Sequence, residues 1–329
     1  MYKLSQITNV HLEVTTKCQA RCPMCPRRIQ GGPLSPFIDL IEIDLETFKN
    51  WFPLDFLQKL PSVSFCGNLG DPIIAKDTLE ICQYLRECNN NIYIQLHTNG
   101  SARSLDWWAS LAKLDVVVVF GIDGLEDTHS RYRINTSFAT IIENAKHFIM
   151  HGGRARWDML VFDHNKHQVD ECRLFSELLG FEKFFSKNTS RFKDGKFNVL
   201  DDTGKTIDIL YPTEKSISHT NSVKESIIES VPSITCKAKE MNSIYVSANG
   251  NVAPCCWLDF EYIPPPSEYR IDYMDKIGSF PNLKSESLED IFNSSYFSDI
   301  EDLFNSNQCL KECSKQCGKF DKLGAQFES

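Results

Sequence analysis

No stretch of this 329-residue chain approaches the run of ~20 apolar residues that a membrane span requires. The opening Met1-Tyr2-Lys3-Leu4-Ser5-Gln6 lacks the apolar core of a secretory signal. The expectation is a cytoplasmic protein with no membrane partner. Basic residues are in the minority, 35 Lys and Arg against 44 Asp and Glu, for a net charge of -9. Nothing suggests a broad electrostatic footprint, so no nucleic-acid partner is expected. Internal repeats and low-complexity tails are absent.

Cysteine is abundant, at 13 residues. In a reducing compartment that many thiols point to metal or redox chemistry before disulfides. Cys18, Cys22 and Cys25 stand in Cys-x3-Cys-x2-Cys spacing, and no fourth Cys or His follows within several residues. A structural zinc site takes four ligands in a closed shell. A cubane iron–sulfur cluster on three cysteines leaves one iron open to another molecule. Zinc, or a loop of incidental core cysteines, are the alternatives.

The first ~200 residues alternate short apolar strands with helical stretches. Strands are predicted over 10–14, 62–66, 91–97, 115–120, 156–162 and 181–186. Helices are predicted over 44–52, 77–88, 104–112, 138–151 and 168–179. This order implies parallel strands with right-handed crossovers. The fold class is α/β, either a full or partial barrel or a doubly wound sheet. In both, ligands gather at the carboxyl ends of the strands. The unusual loops fall there: the cysteine loop, Gly67–Pro72, His97–Gly100 and Gly121–Gly124. Glycines let backbone approach a ligand, and Asp71 can accept from an ammonium group. Thr98 and Asn99 can face a ribose. Asp123, His129 and Arg133 form a further cluster in which Arg133 can hold a carboxylate. Each loop alone also reads as an ordinary turn or solvated helix face.

From about residue 187 the sequence turns polar, with few clear elements until 235. Residues 243–255 read as a hairpin turning at Asn249-Gly250, which brings Cys236 and Cys255 together. Cys309, Cys313 and Cys317, spaced by four, can line one face of a helical turn. Four of these five thiols would make an iron–sulfur or zinc site, with Cys256 in reserve. Cys66, Cys82, Cys88 and Cys172 read as core. Pro264–Pro266 reads as a stiff loop, and a helix is predicted to start from a cap at Ser285 or Ser287.

Together these residues resemble the radical SAM enzymes. The family's Cys-x3-Cys-x2-Cys loop follows the first strand of a partial (β/α)6 barrel, and Cys18, Cys22 and Cys25 match its ligands. The resemblance implies a [4Fe–4S] cluster whose open iron binds S-adenosylmethionine (SAM) and whose electron cleaves it to a 5′-deoxyadenosyl radical. It also implies SAM contacts from Gly67, Gly70, Asp71, Thr98, Asn99, Asp123 and Arg133, and from Met24 where an aromatic residue is usual. Asp71 stands where Glu is usual, and Gly121 where Ser is usual. The C-terminal cysteines resemble SPASM or twitch extensions. The long Cys-x2-Cys-x5-Cys-x3-Cys block of two-cluster members is absent, so one auxiliary [4Fe–4S] cluster is expected on four of Cys236, Cys255, Cys309, Cys313 and Cys317.

The expected organisation is a barrel over 1–186, a connector over 187–235 and a cluster domain over 236–329. By resemblance, the expected substrate is a ribosomally made peptide, brought by a separate leader-binding partner. The expected electron donor is a reductant such as flavodoxin or ferredoxin. A sugar or small metabolite is the alternative substrate. A non-catalytic iron–sulfur or zinc module is the alternative of another class.

Overall fold

The computed structural model describes residues 3–66, 68–189, 191–192, 195–214, 233–259, 268–304, 306 and 308–319. Gly67 and the Pro264–Pro266 run lie outside them. Six strands stand side by side in chain order, all parallel: β1 (Asn9–Leu12), β2 (Ser62–Phe65), β3 (Tyr93–Thr98), β4 (Val116–Gly121), β5 (Arg154–Val161) and β6 (Lys183–Asn188). Between them run α1 (Leu45–Trp51) and α2 (Leu54–Leu57), α3 (Thr78–Cys88), α4 (Leu105–Ala112), α5 (His129–Tyr132) and α6 (Phe138–Met150), and α7 (Val169–Leu179). A doubly wound sheet would reverse its strand order at a switch point. This order runs straight through, so the fold is the partial barrel.

Local chemistry sets the element ends. The side chains of Asp44, Ser104 and Ser137 cap α1, α4 and α6 by accepting from the backbone three residues on. Gly180, at φ 87°, ends α7 in the left-handed region. Val116–Phe120 of β4 are all buried, as a strand covered on both faces requires. Trp108 of α4 packs 5.4 Å from Phe120, and Trp157 of β5 packs 5.4 Å from Phe181.

Of the elements that were not predicted, two bear on the site. Within the polar stretch after β6, β7 (Phe197–Leu200) and β8 (Thr206–Leu210) pair as an antiparallel hairpin. The C-terminal segment then joins the barrel sheet. After β9 (Ser233–Ile234), β10 (Ser243–Val246) pairs in parallel with the free side of β1, Asn9 opposite Ser243. β11 (Val252–Ala253) pairs antiparallel with β10, which is the predicted hairpin. β12 (Gly318–Lys319) closes back on β9. The helix Leu288–Asn293 starts from a capping box in which Ser287 and Asp290 satisfy each other's backbone. No helix among the described residues is long and apolar enough to cross a membrane.

Candidate functional site

The cysteine loop begins four residues past β1. Buried Arg27 shapes it, donating to the carbonyls of Thr16 at 2.9 Å, Cys18 at 2.9 Å and Ala20 at 3.4 Å. The Cys25 amide donates to the Cys22 carbonyl at 3.0 Å. Cys18, Cys22 and Cys25 all line one cavity of about 430 Å³, with Cys66, Gly70, Asp71, His97, Thr98, Asn99, Gly121 and Arg133 on its other walls. All three thiols are free. Burial pushes Cys22 up to about 11, and it pushes Cys18 and Cys25 up as well. Such thiols ligate once a cation displaces their protons. Among the described residues no three Cys, His, Asp or Glu side chains converge on a single-ion site. Ligands of a polynuclear cluster, each on its own iron, need not converge. The donor set and the room fit a small iron–sulfur cluster with one open position.

Gly70 lies against the Thr15 carbonyl so closely that any Cβ would collide with it. That contact turns the next residue inward. Asp71 is buried, and both its oxygens are engaged by the chain. Oδ1 accepts from Thr98 Oγ1 at 2.7 Å and the Ile73 amide at 3.1 Å; Oδ2 accepts from the Asn99 amide at 2.7 Å and Asn99 Nδ2 at 2.5 Å. Burial raises the Asp71 carboxyl's pKa, and the bonds from Asn99 and Thr98 oppose this. Asp71 therefore ties the loops after β2 and β3 together. Asn99 Nδ2 lies 3.6 Å from Cys18 Sγ, which joins this knot to the triad.

Asp123 is fully buried behind the cavity wall and is not among the lining residues. It accepts from Arg133 Nε at 2.5 Å and from the Leu160 amide at 2.6 Å. The guanidinium so held reaches 4.0 Å from Cys22 Sγ. A Cβ on Gly121 would lie 2.7 Å from Arg133 Nη2, so the arginine occupies the space a serine would need. His129 is structural: its Nδ1 accepts from the Asp123 amide at 3.2 Å, and burial pushes its pKa down to about 3. Met24 does not line the cavity. It is buried in a satellite cluster with Tyr132, Phe162, Phe192, Val199 and Leu210. The unpredicted hairpin supplies two of those residues and so covers the triad loop. It is fastened there by Arg131 on Asp208, at 2.7 and 2.9 Å, and by the Leu200 amide on the Gln30 carbonyl at 2.9 Å.

At the C-terminal end, Cys236, Cys255, Cys313 and Cys317 line one small pocket walled by Ile234, Trp257, Leu258, Ile300 and Phe304. Burial pushes Cys255 up to about 12. Cys309 lies outside this pocket, with its Sγ 3.5 Å from the Leu310 carbonyl. Cys256 also lies outside it, on the barrel side near Asn68 and Glu13.

Sequence reasoning missed Arg27, and it missed Asp158, Lys187 and Arg191 on the far wall of the cavity. Lys187 sits near the carboxyl end of β6, where barrels carry their ligands, and Asp158 lies midway along β5. Period-two alternation could have found them.

Residues 12–173 match the family model of the Radical SAM superfamily, and residues 236–318 match that of SPASM, an iron–sulfur cluster-binding domain. The chain is 23% identical over 299 residues to the antilisterial bacteriocin subtilosin biosynthesis protein AlbA of Bacillus subtilis. The match covers 86% of this chain and 58% of AlbA, so the chain spans little more than half of that relative's length. It is 21% identical to the tungsten-containing aldehyde ferredoxin oxidoreductase cofactor-modifying protein of Pyrococcus furiosus, covering 87% of this chain and 80% of that one. The fold is similar to Streptococcus suis SuiB bound to SAM, at TM-score 0.60 and 15% identity, covering 91% of this chain and 68% of SuiB. SuiB bound to its precursor peptide SuiA aligns at 0.56, again at 15% identity, covering 88% and 65%.

Proposed function

The chain belongs to the radical SAM superfamily and carries a C-terminal SPASM domain, and from that premise we propose that it modifies a ribosomally made peptide. Its class is that of SAM-dependent iron–sulfur enzymes. A four-iron cluster held by Cys18, Cys22 and Cys25 would supply the electron that cleaves the sulfonium of SAM and yields a 5′-deoxyadenosyl radical. In our reading Cys18, Cys22 and Cys25 hold that cluster, with Arg27 fixing their loop. Gly70 brings backbone up to the methionine end of SAM, and Arg133, anchored by Asp123, faces its carboxylate. Asp71, Thr98 and Asn99 act as one knot that sets the shape of this pocket. Cys236, Cys255, Cys313 and Cys317 hold one auxiliary cluster. Cys309 is left out because it lies outside their pocket.

The observation that carries this reading is the shared cavity: three free thiols, the glycine loop, Thr98–Asn99 and Arg133 around one space. A passive electron carrier needs no such pocket. The peptide substrate is supported by AlbA, named for bacteriocin biosynthesis, and by SuiB, solved with a precursor peptide. A separate leader-binding partner, and a flavodoxin or ferredoxin as reductant, complete the proposal. Anaerobically reconstituted protein, reduced with dithionite, should convert SAM to 5′-deoxyadenosine, and Cys22→Ala should abolish it. Cleavage that survives Cys22→Ala would overturn the site. A short peptide encoded beside the gene should change mass when added. No change, with turnover of a sugar or small metabolite instead, would overturn the substrate class.

A further inference from the structure

A polar ladder climbs one face of β3. Tyr93, Gln95 and His97 alternate with buried Ile94, Leu96 and Thr98, and His97 reaches the cavity wall. Tyr93 Oη donates to Gln95 Oε1 at 3.0 Å, and Arg156 Nη1 of β5 donates to the same oxygen at 3.4 Å. A guanidinium has no acceptor, so the Gln95 amide is oriented with its oxygen toward Arg156 and its NH2 toward His97. Gln95 Nε2 lies 2.7 Å from His97 Nε2. An amide NH2 only donates, so His97 Nε2 accepts and the ring proton sits on Nδ1. Nδ1 has no partner among the described residues and is not among the buried polar atoms that lack one. It therefore keeps accessible surface, on a residue that lines the cavity. A doubly protonated ring would set two donors face to face. Burial also lowers the His97 pKa; Asp158 opposes this, and Lys187 and Arg156 add to it.

We propose that His97 is a substrate-binding residue, a neutral imidazole locked as the Nδ1–H tautomer that donates to a substrate carbonyl oxygen next to the carbon losing its hydrogen. This rests on the peptide reading above. The substrate C–H bond breaks homolytically, and the hydrogen with one electron goes to the 5′ carbon of the deoxyadenosyl radical. The carbon left with the unpaired electron shares its spin with the adjacent carbonyl, and a donor at that oxygen stabilises it. A neutral donor suits the step, because no proton is transferred. Asp158 and Lys187, 3.5 Å apart on the same wall, offer opposite charges to groups flanking that carbonyl. Gln95 and Arg156 are positioning residues that act through the ring.

Nitrogen-15 NMR of histidine-labelled holoenzyme tests the tautomer without a substrate. His97 should show a protonated Nδ1 and a bare Nε2 at neutral pH, and Gln95→Glu should move the proton to Nε2. A protonated Nε2 in the parent protein overturns the proposal whatever the substrate is. The second readout is product formed per 5′-deoxyadenosine. His97→Asn, which keeps a donor near the Nδ1 position, should stay within about threefold of the parent. His97→Gln and His97→Ala should lose about 100-fold in coupling while still cleaving SAM. Equal losses in Asn and Gln, or loss of SAM cleavage itself, would overturn the role. If no peptide reacts but the NMR pattern holds, the peptide reading falls and takes the substrate role with it, and only the locked tautomer stands.

Discussion

Glu13 sits one residue past β1 with 1% of its surface exposed. Burial raises its pKa from 4.5 to about 8, helped by the charge of Asp259 and opposed by nearby polar groups, among them the Leu69 amide, which donates to Oε2 at 3.4 Å. The folded chain therefore holds this proton more tightly than the unfolded chain does. The stability it contributes is complete below the unfolded pKa and is lost as pH rises through about 8. Glu13→Gln keeps the shape and fixes the neutral state. Its advantage in melting temperature over the parent should grow from about pH 5 to about pH 9; a constant difference, measured calorimetrically on both proteins, would contradict the assignment. The triad cysteines were legible in sequence because their spacing is covalent. Arg27 and Glu13 were not, because their roles depend on carbonyls and side chains that meet them only through space. Asp71 was legible as a site-loop carboxylate. Its saturation by Thr98 and Asn99 was not, because no local pattern records which donors a carboxylate meets.

The hairpin β7–β8 is the element that most changes the picture. Its strand signal is short, the alternating Thr206-Ile207-Asp208-Ile209-Leu210 inside a polar stretch, and only Val199 and Leu210 are deeply buried. Its stability comes from seating on Met24, Tyr132 and Phe162 and from the Arg131–Asp208 pair. The six barrel strands and their helices were readable because apolar period and caps are local signals. The hairpin's seat is tertiary. Leu210→Ala should cost about 2–5 kcal/mol of the local packing. Amides over 197–210 should then exchange faster with deuterium, and the first cluster should bleach faster in air. Unchanged exchange would show that the hairpin does not depend on this contact.

Across the whole molecule the two thiol sites are joined by adjacent residues. Cys255 lines the C-terminal pocket, while Cys256 turns toward Asn68, a wall residue of the larger cavity. Reconstitution should give about eight irons per chain if both sites fill with four-iron clusters, falling to about four when Cys236 and Cys255 are both replaced by Ala. A value near four in the parent, unchanged by that substitution, would remove the second cluster. The parallel pairing of β10 with β1 also governs the order of assembly. Asn9 finds its partner Ser243 only 234 positions later in the chain. During synthesis the flank of the first strand stays unsatisfied until Ser243 has emerged. An edge left open for so long invites pairing with another nascent chain, and the high sequence separation slows the closing step. Yield of active protein should therefore hinge on chaperone supply and expression temperature as much as on iron.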